Sequence, residues 1–121
     1  MYCILKTKNK GFGVFSNINI PKHTNIGSYI TKNENKYGRK ITDDFWEDEL
    51  GRYVNHSTEP NCEMSLIDGT YHLFSLFDIK IGDELVIDYT VIEKILKVDG
   101  GRFMGDFPNG PKLTDFGQKS T

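Results

Sequence analysis

Apolar and polar positions change in short bursts along this chain, and no apolar burst is long. Tyr2–Lys6 sets β-formers between polar ends and predicts a strand. Asn9-Lys10-Gly11 marks a turn, and Gly11–Phe15 a second short strand carrying two glycines. Asn25–Ile30 reads as a third, with Ile26 and Ile30 as its core residues. Thr31–Lys40 is polar and rich in Asn and Lys, which predicts an exposed loop. Asp43–Leu50 carries the best early helix pattern. Asp44 and Glu47 have capping-box spacing there, and Trp46 and Leu50 share one face.

Downstream, Arg52–Val54 predicts a short strand and Asn55–Asn61 an irregular polar loop. Glu63–Leu66 and Thr70–Phe77 predict strands joined through Asp68-Gly69, a strong hairpin signal. A tight turn at Ile81-Gly82-Asp83 leads into a strand over Leu85–Tyr89, and Val91–Val98 has the spacing of a short helix. After Asp99, glycine and proline punctuate the chain, with Phe103, Phe107 and Phe116 between them. The aromatics suggest that this irregular tail packs on something. Many short strands, few helices and long irregular connections make a mostly β chain.

Length narrows this to one domain, because 121 residues match a single core. With 37% apolar and 26% charged residues, the chain is neither disordered by composition nor a membrane protein. The net charge of −2 argues against direct nucleic-acid binding, which needs a basic footprint. Charge is uneven: residues 1–33 hold five lysines and no acid, whereas Asp43, Asp44, Glu47, Asp48 and Glu49 crowd together. Two solvated faces account for this as well as two ligand surfaces do. Two cysteines, Cys3 and Cys62, are too few for a disulfide framework. His23, His56 and His72 share no metal-ligand spacing with them, so no metal site is expected. The N-terminus has no long apolar stretch or cleavage site, so no signal peptide is expected and an intracellular setting fits.

Candidate chemistry concentrates in two segments. Arg52-Tyr53-Val54-Asn55-His56-Ser57-Thr58-Glu59-Pro60-Asn61-Cys62 crowds hydrogen-bonding side chains into a stretch without periodicity. Such loops bind ligands more often than core strands do, although Asn and Ser also satisfy their own backbone in turns. Ile81–Tyr89 ends a strand on Asp88-Tyr89, where a tyrosine is either a wet core edge or a donor in a site. Gly11-Phe12-Gly13 lets a ligand approach the backbone closely. Ser16 breaks the dinucleotide fingerprint, which rejects a Rossmann site.

Together these segments resemble the SET-domain protein lysine methyltransferases. Gly11-Phe12-Gly13-Val14-Phe15 is similar to the family's first glycine segment, and Pro21-Lys22 through Ile26 and Tyr29 to the stretch leading to its Glu-Tyr strand. Arg52-Tyr53-Val54-Asn55-His56-Ser57 followed by Pro60-Asn61-Cys62 resembles R-F-I-N-H-S-C-x-P-N-C. Asp78-Ile79, Gly82, Glu84-Leu85 and Asp88-Tyr89 resemble D-I-x-x-G-E-E-L-x-x-D-Y. The chain departs at Thr58, where many members carry a zinc-binding cysteine, and no cysteine follows Cys62. Tyr29 is followed by Ile30-Thr31 rather than a glycine two positions on, and Tyr89 by no nearby aromatic.

The resemblance implies a mostly β fold of small sheets with a C-terminal pseudoknot. It implies a SET domain, assigned to residues 1–98; the aromatics of the irregular segment 99–121 lead to the expectation that it packs on the site. It implies S-adenosylmethionine as cofactor and methyl transfer to the side-chain amine of a lysine in a protein, with a histone-like tail among the candidates. Tyr89 is then the catalytic residue; Gly11, Phe12, Gly13, Tyr53, Asn55 and His56 bind the cofactor; Tyr29 lines the substrate channel, and with no cysteine-rich tail to wall it, Phe103 and Phe107 are expected over the channel mouth. The small size is similar to SET proteins encoded by some viruses, which adds the host nucleus to the cytoplasm as a location and leaves room for a homodimer. The alternative is a SET-like module that binds cofactor or peptide without catalysing.

Overall fold

A computed structural model describes residues 1–32, 38–41 and 45–98. Two small sheets form among them. The first runs β1 (Tyr2–Lys6), β2 (Phe12–Ser16), β9 (Glu84–Ile87), β6 (Asn55–His56); the second runs β4 (Arg39–Lys40), β5 (Trp46–Glu47), β3 (Asn25–Thr31), β8 (Thr70–Ser75), β7 (Cys62–Ile67). Two helices complete the set, α1 (Glu49–Tyr53) and α2 (Tyr89–Val98). The mostly β architecture is the one the sequence pattern predicts.

β1 and β2 form an antiparallel pair from Tyr2 opposite Ser16 to Lys6 opposite Phe12. β7 and β8 are joined by Asp68 and Gly69, whose φ values are 49° and 81°. Two central residues with positive φ match the right-handed twist of the strands, so the Asp-Gly signal sets this register. Between the sheets lies one core of buried Val14, Tyr29, Ile30, Phe45, Leu73, Leu85 and Ile92 with their neighbours. Removing each large apolar side chain from water contributes about 1.5–3 kcal/mol.

The expected helix over Asp43–Leu50 is corrected. Trp46 and Glu47 are a strand instead, pairing with Thr31 and Ile30 of β3, and the helix starts only at Glu49. Ladder bonds to β3 outweigh the local capping pattern. The chain then turns helical through the predicted strand at Arg52–Val54, and Val54 returns to an extended conformation. Asp48 stands at the N-cap, but its carboxylate accepts from the Ser28 hydroxyl rather than capping the helix. The last strand also stops earlier than predicted, at Ile87, because Tyr89 begins α2.

β9 holds the fold's centre. It lies between β2, antiparallel, and β6, parallel, with Asn55 opposite Val86 and His56 opposite Ile87. The whole β7–β8 hairpin lies between β6 and β9 in sequence, and the parallel pair needs such a crossover. Asn61 ties that crossover down. Its Nδ2 donates to Glu84 O at 2.9 Å, its Oδ1 accepts from Val86 N at 2.9 Å, and its backbone N–H donates to Val86 O at 3.2 Å. One side chain thus substitutes for a stretch of β-ladder.

Candidate active site

The parallel strand β6 delivers Asn55 and His56 to the same edge of β9. Asn55 is fully buried. Its Nδ2 donates to Phe12 O at 3.0 Å and to Glu84 Oε2 at 2.8 Å. A carbonyl and a carboxylate only accept, so these contacts fix which end of the amide is nitrogen. The Asn55 Oδ1 is then an acceptor, buried and without a hydrogen-bond partner among the described residues. A buried polar atom left unpaired costs about 1–3 kcal/mol, so such an atom points to a missing donor.

Gly13 makes this arrangement possible. A Cβ there would lie 2.7 Å from Glu84 Oε2 and 3.0 Å from Asn55 Nδ2. Outside the pair, Lys10 Nζ reaches Glu84 Oε1 at 2.7 Å. Gly11 adopts φ 73° at the turn entering β2, and its carbonyl accepts from Thr7 N. Phe12, 49% exposed, sets its ring edge-on to Tyr53 at 6.2 Å. The Arg52 guanidinium lies 5.4 Å from the centre of the Tyr53 ring. Five of the predicted cofactor residues, Gly11, Phe12, Gly13, Tyr53 and Asn55, therefore gather around one corner of the first sheet.

His56, the sixth, turns toward Tyr89. Its Nδ1 accepts from the Tyr89 N–H at 3.0 Å, which places the ring proton of neutral imidazole on Nε2. The two rings are 5.3 Å apart. Asp88 Oδ1 accepts from Thr90 N and Thr90 Oγ1 at 2.9 and 2.6 Å and so caps the first turn of α2. This capping explains why Tyr89 leaves the strand. Its ring is fully buried and its hydroxyl donates to Val54 O at 2.6 Å. Burial first, then the Glu47 and Glu84 carboxylates, push the phenol above its usual range and keep it neutral.

Tyr29 is buried on β3, and its hydroxyl has no hydrogen-bond partner among the described residues. Burial chiefly, with added electrostatic repulsion from Tyr89 and Glu47, pushes its pKa well above the usual phenol range and keeps it neutral. The Tyr29 carbonyl accepts from Asp48 N at 2.9 Å. Gly51 passes so close that a Cβ would sit 2.5 Å from that carbonyl oxygen.

Glu47 corrects the reading of an exposed acidic run. It is 1% exposed, with Arg39 Nε 2.7 Å from its Oε1. Burial pushes its carboxyl up to about 7, against the opposing pull of Arg39 and Arg52. Cys62 is buried as well, and burial pushes its thiol up to about 12. Among the described residues no cluster of His, Cys, Asp or Glu is placed to hold a metal ion. No helix among them is long and apolar enough to cross a membrane.

Sequence reasoning missed Glu84, Lys10, Glu47 and Gly51 as parts of this region. Glu84 was visible as part of the Glu-Leu pair before Asp88-Tyr89, but its partner Asn55 lies 29 residues away and nothing local announces the contact. Phe103 and Phe107, expected at the channel mouth, lie outside the described residues, as do Asp43, Asp44 and the segment 99–121.

Comparison with known proteins adds an independent observation. The family model described as SET domain matches residues 11–90. The chain is similar to "Histone-lysine N-methyltransferase ASHH2" of Arabidopsis thaliana, at 39% identity over 59 residues, covering 46% of this chain and 3% of that protein. It is also similar to "Histone-lysine N-methyltransferase, H3 lysine-36 specific" of Aspergillus oryzae, at 28% identity, covering 73% of this chain and 12% of that protein. A "SET and MYND domain-containing protein" of Dictyostelium discoideum shares 40% identity over 68 residues, covering 55% of this chain and 15% of that protein. The chain spans only a small fraction of the length of these relatives.

Proposed function

We propose a function from the premise that this chain belongs to the SET-domain family of protein lysine methyltransferases, which use S-adenosylmethionine: it moves a methyl group to the side-chain amine of a lysine in a protein. The observation that carries the reading is the buried acceptor Asn55 Oδ1, without a partner among the described residues while Gly13 leaves room for the Asn55–Glu84 contact that orients it. The residues fit the cofactor. S-adenosylmethionine has an amine able to donate to Asn55 Oδ1, and Gly11 and Gly13 put no side chain of their own on the chain at the start of β2. Phe12 and Tyr53 offer aromatic surface at the same corner. When bound, the cofactor supplies a methyl group already activated on a sulfonium.

The chain's own residues then position and desolvate. Tyr89 donates its hydroxyl proton to Val54 O, so toward a lysine N–H the phenol oxygen acts as acceptor. That bond orients the amine and turns its lone pair, the one that attacks the methyl, away from Tyr89. A free lysine is charged, with a pKa of about 10.4. Burial beside Tyr29 and Tyr89 favours the neutral amine that attack requires. His56 accepts the Tyr89 backbone N–H and so fixes the tyrosine against β6.

Relatives named as histone-lysine methyltransferases support a histone-like tail as substrate, and such a substrate would place the protein in a nucleus. The acidic residues between 43 and 49 would attract such a basic tail, but Glu47 is buried and adds nothing to that attraction. The test is to offer the full chain labelled S-adenosylmethionine with core histones, another lysine-rich protein and a lysine-poor protein. Labelling of histones above both controls supports the histone reading. Equal labelling of the two lysine-rich substrates overturns it and leaves lysine transfer standing.

A further inference from the structure

Glu84 touches no part of the strands' backbone ladder with its carboxylate, yet both of its oxygens are engaged. Oε2 accepts from Asn55 Nδ2 at 2.8 Å, and Oε1 accepts from Lys10 Nζ at 2.7 Å. The row therefore runs from a half-exposed ammonium on the β1–β2 turn, through a carboxylate, to a fully buried amide. It ends on Asn55 Oδ1, buried and without a partner among the described residues. Gly13 is the floor beneath it, since a Cβ would strike both Glu84 Oε2 and Asn55 Nδ2.

We propose that Glu84 is a positioning residue that acts through Asn55: it holds the amide with Oδ1 facing the ligand and polarises it to recognise a protonated amine. Lys10 holds the carboxylate from the solvent side. The chemistry follows from the contacts. An amide can flip to present either nitrogen or oxygen, and a carboxylate tolerates only the nitrogen. A charge-assisted bond to Nδ2 shifts electron density toward Oδ1, so the acceptor becomes stronger for a cation than a lone asparagine's would be. Phe12 O alone fixes the amide less firmly, because a neutral carbonyl makes the weaker of the two bonds.

The inference rests on the reading that this corner binds the cofactor, and the experiment separates the two. Two ligands share the purine and ribose: S-adenosylhomocysteine carries the amino-acid end, and methylthioadenosine lacks it. Affinity for each is measured by calorimetry on the full chain and on Glu84→Ala and Glu84→Gln. Glu84→Ala is expected to weaken S-adenosylhomocysteine about tenfold or more, one hydrogen-bond partner's worth. Methylthioadenosine is expected to change by less than about threefold, because the loss is confined to the amine. Glu84→Gln keeps an oxygen for Asn55 Nδ2 but loses the charge, and is expected to recover only part of the loss. Equal weakening of both ligands means a merely structural role and overturns the proposal, as does no weakening of either. Glutamine behaving as poorly as alanine overturns it too. Should Glu84→Ala fail to fold, Lys10→Ala on the exposed turn gives the same reading. A loss of about threefold confined to S-adenosylhomocysteine supports the proposal, and any other pattern overturns it. A parent chain that binds neither ligand overturns the cofactor reading itself and the positioning role with it.

Discussion

The Tyr89 hydroxyl donates to the carbonyl of Val54, the residue that follows α1 and immediately precedes Asn55. One 2.6 Å bond thus joins the start of α2 to the entry of the strand that carries the buried amide. The tyrosine expected to face the reacting amine and the asparagine expected to hold the cofactor are set by the same short piece of backbone.

Tyr89→Phe tests that bond in two ways. The ring keeps its packing, while Val54 O is left buried without its donor. Stability is expected to fall by about 1–2 kcal/mol in urea unfolding. Methyl transfer at saturating cofactor is expected to slow further, its barrier rising by about 2.7–4 kcal/mol, the scale of losing one preorganised polar group. Turnover within about threefold of the parent would remove Tyr89 from the chemistry.

Asn55→Ala is expected to weaken cofactor binding about tenfold or more, because the acceptor itself is gone. Phe12 O and Glu84 lose their shared donor in the same variant. Calorimetry on a variant that still unfolds cooperatively checks this, and unchanged affinity would discard the assignment.

Two glycines separate binding from folding. A Cβ on Gly13 meets the movable end of Glu84 and the Asn55 amide. Gly13→Ala is therefore expected to fold with little loss and to bind cofactor about tenfold more weakly. A Cβ on Gly51 would lie 2.5 Å from the backbone oxygen of Tyr29, which has nowhere to go. Gly51→Ala is expected to lose about 2–3 kcal/mol of stability. Thermal unfolding and calorimetry on both variants give the contrast; a reversed pattern contradicts it.

Glu47 sets a pH dependence. Its carboxyl rises from 4.5 to about 7 on folding, so between those values the folded chain binds more proton than the unfolded one. Glu47 therefore stabilises fully below the lower value, and this contribution is lost as pH rises through the upper one. Glu47→Gln removes the titration. From pH 4.5 to about 8, the parent is expected to lose stability relative to this variant by up to about 3 kcal/mol, measured by urea unfolding across the range. Parallel profiles for the two proteins would exclude the buried carboxylate as the cause.

Much of this was legible where the signal is local. Strand β1 runs over Tyr2–Lys6 as its pattern indicates, and Asp68-Gly69 turns the hairpin with the positive φ values its chemistry favours. The Asn55-His56 and Asp88-Tyr89 pairs, read from motif spacing, do meet in space through the His56 to Tyr89 contact. What stayed hidden depends on distant partners. Trp46 and Glu47 form a strand only because β3 offers a free edge, and a capping pattern says nothing of that edge. Glu47 looks like one more surface acid until its burial beside Arg39 is seen. Glu84 alternates with buried Leu85 and Ile87 as a solvent-side strand residue would, although its carboxylate in fact turns inward to Asn55.

The central claim is lysine methylation at a site built from Asn55 and Tyr89. The most direct measurement is incubation of the full chain with isotope-labelled S-adenosylmethionine and core histones, followed by mass spectrometry to locate the label. The account predicts label on lysine side-chain nitrogen, strongly reduced in both Tyr89→Phe and Asn55→Ala. A chain that binds the cofactor in calorimetry yet labels no lysine in any basic protein supplied would contradict it and mark a binding module instead.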